Sequence, residues 1–287
     1  MIATFKHELS MHFKGLTAYM LSALLLIITG MRMEELMEIR RLDFHAVLLS
    51  VGGIFTIIIP VLTMRVFAEE RRQKTDQLLY SLPITMTDVV LGKYLAMMVV
   101  FLIPVLIICF YPLVLSSYGA INLKLSYSAI LLFSLLGAAL IAIGTFVSAM
   151  TENQMASAGV CFMVIFINSE IPYRISDIPG SAVSSMIICV VLALGVGVLA
   201  WKLTKNSTFG LAVDTVLVAG ILVLFLLKEE LFENLFVKLL KNVSFYQLFY
   251  DVQYGALDLG TVVYFLSIVG FFLFLTVQTL EKRRWSE

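Results

Sequence analysis

Long apolar runs separated by short polar segments organise this chain. A helix needs about 20 apolar residues to cross the hydrocarbon core of a bilayer. Runs approaching that length fall at 16–31, 46–64, 94–116, 127–149, 156–172, 183–201, 210–227 and 261–280. The pattern predicts an all-α polytopic membrane protein of about eight transmembrane helices. The fifth run is the least regular, because Asn168, Ser169 and Glu170 precede Pro172 in "INSEIP" and are expected to break it. The first run is followed by Met31-Arg32-Met33-Glu34 with no small-residue cleavage site, so it is expected to be a retained span rather than a signal peptide.

Two polar segments carry a helical period of their own. In 1–14, "MIATFKHELSMHFK", Ile2, Phe5, Leu9 and Phe13 recur at helical spacing while Lys6, His7, Glu8, Ser10 and Lys14 take other faces. This predicts a short amphipathic helix in the membrane interface, with Phe5, Leu9 and Phe13 on its apolar face. In 228–260, Leu231, Leu235 and Leu239 repeat at i,i+4, as do Phe232, Phe236 and Leu240, with charged residues interleaved. A second amphipathic helix is expected there, followed by the interfacial aromatics Phe245, Tyr246, Phe249, Tyr250 and Tyr254.

Composition supports the membrane class. Of 287 residues, 60% are hydrophobic and 14% charged, against roughly 45–50% and about 25% for soluble domains. The net charge is zero, so no large basic face points to nucleic acid. Lysine and arginine in short loops set orientation. A cytoplasmic N-terminus places the two densest basic clusters, 71–74 and 282–284, inside. Eight spans then put both termini in the cytoplasm of a cell-membrane protein. The segment 65–93 becomes a cytoplasmic loop between spans two and three, 228–260 an extracytoplasmic segment, and 281–287 a basic cytoplasmic tail.

Catalytic signatures are missing from the sequence. No G-x-x-x-x-G-K-[ST] phosphate loop occurs; Gly92-Lys93 is followed by Tyr94 and lacks the leading glycine. "HELSMH" sets His7 and His12 five residues apart, about 500° around a helix, so their rings diverge and no metal site is expected. Cys109, Cys161 and Cys189 are scattered through apolar runs and form no disulfide or zinc pattern. Ionisable and polar groups inside spans are costly and often functional, which makes Asn168 and Glu170 the candidate substrate-path residues. Gly137, Ala138, Ala142 and Gly144 are read as sites of close helix packing.

The polar stretch "EERRQKTDQLLYSLPIT", Glu69 to Thr85, stands out between two apolar runs. Thr75 to Leu82 predicts about two helical turns, with Leu78 and Leu82 on one stripe and Thr75 and Leu79 on the next. Glu69, Glu70, Arg71, Arg72 and Lys74 crowd its approach, Pro83 stops it, and Thr85-x-x-Asp88 starts the next helix as a capping box. A leucine stripe flanked by charge needs a partner: the headgroup region, another part of the chain, or a soluble protein docking from below.

"EERRQKTDQLLYSLPITMTDVVLGKYLA" resembles the loop after the second span of ABC-2 type transporter permeases, especially the gliding-motility-like branch. Glu69, Glu70, Arg71, Arg72, Thr75, Leu78, Leu79, Ser81, Leu82, Pro83, Ile84, Gly92 and Lys93 carry the match. The opening amphipathic helix and "FYQLFYDVQYGALDLGTVVYFLSIVGFFLFLTVQTLEKRRW" also look like that family; 150–240 is not distinctive. The resemblance implies six spans, so six to eight is the expected range. It also implies a non-enzymatic permease subunit, mostly exporting, that pairs with a second permease in a homo- or heterodimer. Two cytoplasmic ABC ATPase subunits would bind ATP and Mg, and residues 69–84 would supply the coupling helix. Two alternatives stay open: an ion-coupled secondary carrier or channel, and a non-transporting scaffold or sensor.

Overall fold

The computed structural model describes residues 1–38, 43–75, 85–119, 121–177, 180–204, 207–251 and 258–284. All of its regular structure is helical among these residues. In chain order the helices are α1 (Ile2–Lys14), α2 (Thr17–Glu38), α3 (Phe44–Gly52), α4 (Phe55–Thr63), α5 (Ala68–Arg72), α6 (Met86–Ile108), α7 (Tyr111–Ser116), α8 (Leu123–Met150) and α9 (Gln154–Arg174). They continue with α10 (Ala182–Thr204), α11 (Ser207–Leu227), α12 (Leu235–Val243), α13 (Phe245–Asp251) and α14 (Leu259–Arg284). The chain divides into one unit of Met1–Ser169 with Leu248–Glu287 and another of Glu170–Gln247.

Among the described residues, four stretches are long and apolar enough to cross a membrane: Met86–Ser116 (α6 with α7), α8, α9 and α14. Two bent pairs raise this to six if each makes one span, α1 with α2 at 67° and α3 with α4 at 55°. The sixth and seventh apolar runs form α10 and α11, which hold the shorter apolar stretches Ala182–Gly195 and Asp214–Leu227. Four to six candidates therefore stand where the apolar runs predicted about eight.

Several runs read as continuous are interrupted, and each interruption has a local cause. The second breaks at Gly52-Gly53, which carry the lowest helix propensity after proline. Gly52 also permits the approach of Phe249, whose ring edge would lie 3.1 Å from a Cβ there. The third breaks at Cys109 and Phe110, because Pro112 offers no N–H and its ring crowds the carbonyl one turn back. The fifth is the opposite case. The expected break at "INSEIP" is absent, and α9 runs through to Arg174. Pro172 lies in the last turn, where only a single main-chain bond is lost before the helix ends.

The first unit is built around α8, which is buried along most of its length. Phe55, Phe101 and Phe133 are fully inaccessible, with ring centroids 5.5 Å (Phe55–Phe101) and 4.5 Å (Phe55–Phe133) apart. The small residues on α8 are packing sites, as expected. A Cβ on Gly137 would stand 2.3 Å from Phe101, and one on Gly144 would stand 2.3 Å from the Thr63 hydroxyl.

In the second unit α10 and α11 pack along one another. The single amphipathic helix expected in 228–260 is divided into a 3₁₀ turn at Glu229–Phe232, then α12, then α13. Asn234 separates the 3₁₀ turn from α12, and Ser244 separates α12 from α13. Asn234 sits in the left-handed region at φ 56°, which asparagine tolerates better than most residues, and its N–H donates to the Gly180 carbonyl at 3.0 Å.

Candidate functional site

The polar segment after α4 begins with a short helix that precedes the predicted Thr75–Leu82 turns. Glu69 to Arg72 belong to α5, with acids in its first turn and bases in its last, the order that complements a helix dipole. Its end is a Schellman motif. The Thr75 N–H donates to the Glu70 carbonyl at 2.9 Å, and the Lys74 N–H to the Arg71 carbonyl at 2.9 Å. Lys74 takes the left-handed position at φ 57°, where glycine is usual. Thr75 therefore follows a completed helix end. Leu78, Leu79, Ser81, Leu82, Pro83 and Ile84 lie outside the described residues.

The next helix starts eight residues before the predicted third span. Thr85 is its N-cap: the Thr85 hydroxyl accepts from the Asp88 N–H at 3.2 Å and donates to Asp88 Oδ2 at 2.9 Å. Lys93 consequently stands two turns inside α6 rather than in a loop. It is 2% exposed. Its ammonium donates to Glu8 Oε1 of α1 at 2.8 Å, to Glu70 Oε1 of α5 at 2.7 Å and to the Val66 carbonyl at 2.9 Å. The Phe67 ring centroid lies 5.1 Å away. Three ammonium protons thus meet three acceptors, the full capacity of a lysine.

Burial of this lysine depends on α1 reaching the side of α6. Gly92 makes that approach close: a Cβ there would stand 3.0 Å from Thr4 and 3.1 Å from the Met1 carbonyl. The predicted apolar face of α1, Phe5, Leu9 and Phe13, is half-buried, as are Glu8 and His12, while Lys6, His7 and Lys14 are exposed. His12 lies outside the apolar run of the first span. Burial lowers its pKa below the usual 6.5; the Lys93 charge acts in the same direction and Glu8 opposes both.

α5 is held on a second side by the end of α8. Ser148 Oγ accepts from the Phe67 N–H at 3.1 Å and the Ala68 N–H at 3.2 Å, satisfying donors that a helix start leaves open. Arg71, 8% exposed, donates to the Thr151 carbonyl at 3.3 Å. Gln154 of α9 donates to Glu69. Arg283 of α14 reaches the same helix end, donating to the Met150 carbonyl at 3.1 Å. These cations complement the partial negative charge of a helix C-terminus. Glu69, Glu70 and Arg71 are marked by the local charge pattern, whereas their partners Glu8, Ser148, Thr151 and Gln154 lie too far along the chain for such a pattern to show them. The only sequence signal for Lys93 was its place in the Gly-Lys match.

The candidate substrate-path residues Asn168 and Glu170 both lie on α9. Asn168 is buried on α9. Glu170 is partly exposed, with Arg174 one turn on at 3.9 Å.

Helices throughout the described residues, four to six of them candidate membrane spans, define an all-α polytopic membrane protein. Residues 17–176, more than half of the chain, match the family described as ABC-2 family transporter protein, and the chain belongs to it. It is a membrane-embedded ABC permease subunit, of a family that typically works with an ABC ATPase subunit and is not itself catalytic. A search of curated proteins returned no match.

Proposed function

We propose that this permease is half of an ABC exporter in the cell membrane, of the gliding-motility-like branch, with both termini cytoplasmic. It pairs with a second permease, identical or homologous, and with two cytoplasmic ATPase subunits that bind ATP and Mg. Residues 69–84 are the docking segment. The observation that carries this reading is the anchoring of α5: it is joined to α6 through Glu70–Lys93, to the end of α8 through Ser148 and Arg71, and to α9 through Gln154. A load applied just after Thr75 therefore reaches several helices at once. ATP biases only those states that the ATPases bind differently, and this segment supplies the differential contact. Closure of the nucleotide-binding dimer then shifts the permease between inward and outward access, with Asn168 and Glu170 on the path. Leu78→Asp with Leu82→Asp tests it. Loss of ATPase in pull-down and of permease-stimulated ATP hydrolysis is expected; unchanged association and hydrolysis refute it.

A further inference from the structure

We infer that Lys93 is a positioning residue for the docking segment, a buried charge shared between α1 and α5 so that either helix can leave without stranding it. The inference rests on the docking role proposed above for what it does in transport, but the geometry stands by itself. One ammonium, 2% exposed, meets two carboxylates from segments far apart in sequence, Glu8 and Glu70. The cluster carries a net charge of one negative. Withdrawing Glu70 leaves the neutral pair Lys93–Glu8, and withdrawing Glu8 leaves Lys93–Glu70. Neither step uncovers an unpaired buried charge, which is the costly event. Removal of one carboxylate also relieves its repulsion with the other. The Val66 carbonyl and the Phe67 ring remain with the ammonium in each state, and the flexible lysine stem follows a helix that shifts by a small distance. Contacts made by short side chains, such as Ser148 with the start of α5, lack this tolerance. α5 is thus hinged firmly at Phe67–Ala68 and held adjustably at Glu70.

Thermal unfolding of the purified permease gives the first test. Glu8→Gln and Glu70→Gln are each expected to lower Tm by under about 5 °C, because one counter-charge remains and the glutamine oxygen still accepts. The double variant Glu8→Gln/Glu70→Gln is expected to lose roughly 10 °C or more, beyond the sum of the singles, since the ammonium is then buried without a counter-charge. Lys93→Met alone behaves like the double, and the charge-free triple variant Glu8→Gln/Glu70→Gln/Lys93→Met recovers most of the loss. Additive singles, a single as damaging as the double, or a triple as unstable as Lys93→Met would overturn the shared-charge reading. If the double variant does not fold, the triple decides by the same criterion. The second readout separates positioning from mere stability: the stable triple variant, combined with the ATPase, is expected to lose permease-stimulated hydrolysis several-fold. Full stimulation by the triple overturns the positioning role. Absence of stimulation by the unaltered permease instead counts against the docking reading, whatever the Tm values show.

Discussion

Replacing Ser148 by alanine isolates the anchor at the start of α5. The Ser148 hydroxyl takes two N–H groups at the start of α5, from Phe67 at 3.1 Å and Ala68 at 3.2 Å, and all three residues are buried. Alanine fills nearly the same volume, so cavity terms are small. It leaves two buried main-chain donors without that acceptor, at a cost of about 1–3 kcal/mol each when unrelieved. Allowing for partial relaxation, Ser148→Ala should cost about 2–4 kcal/mol. For a chain of this size that corresponds to roughly 5–15 °C in Tm. Ser134→Ala is the matched control. It lies on the same helix, and its hydroxyl returns to the Ile130 carbonyl at 2.8 Å, so its loss should cost under about 0.5 kcal/mol. Thermal unfolding in detergent reads both, and limited proteolysis within 73–85 reads the release of α5 directly. Equal Tm values for the two variants, with equal cleavage rates, would refute the argument that Ser148 anchors the segment.

Three further outcomes follow from particular geometries. Lys74→Gly should stabilise by about 1 kcal/mol, because it removes the side-chain strain of the left-handed position at φ 57°; a fall in Tm would show that Lys74 makes a compensating contact. Gly137→Ala and Gly144→Ala should each lower Tm, since overpacking at 2.3 Å costs about 1–3 kcal/mol and exceeds the propensity gain of about 1 kcal/mol. Gly159→Ala, with nothing within 4 Å, should not. His12 sets a pH slope: with its folded pKa depressed below 6.5, the unfolded chain binds the proton more readily. Stability is then full above pH 6.5 and declines as pH falls toward the folded value. Unfolding measured across that range should lose this contribution in His12→Gln.

The helices were legible where one segment alone determines them. Apolar runs located every long helix, Thr85-x-x-Asp88 marked the start of α6, and small residues on α8 marked close packing. Breaks were misread where context decides. Pro172 looked like a stop but falls in a last turn, while Gly52-Gly53 lay inside a run apolar enough to look continuous. Asn234 interrupts the amphipathic segment 228–260 through a backbone angle that a leucine repeat does not reveal. Lys74 closes α5 in a position where the sequence signal would have been glycine. Lys93 was the largest omission. A lysine at the edge of an apolar run reads as interfacial, and only Glu8 and Glu70, 85 and 23 residues away, make its burial tolerable.

The burial of Lys93 between distant segments alters the mechanical picture. Along the chain the proposed docking segment is flanked by α4 and α6, the nearest candidates to carry its motion. In three dimensions α5 is tied at least as firmly to helices that are distant in sequence. Its first N–H groups rest on α8, its buried arginine on the turn after α8, and Glu69 on the start of α9. α8 holds more buried residues than any other described helix of its unit, with Gly137 and Gly144 set against Phe101 and Thr63 at separations that leave no slack. A close-packed helix transmits displacement rather than absorbing it. Under the proposed docking role, a force on 69–84 is therefore delivered to the centre of the bundle through Ser148, while the Lys93 side lets α1 and α6 adjust. Ser148→Ala should then weaken coupling to the ATPase more than Glu70→Gln does. The reverse order would place the transmission in the flanking spans.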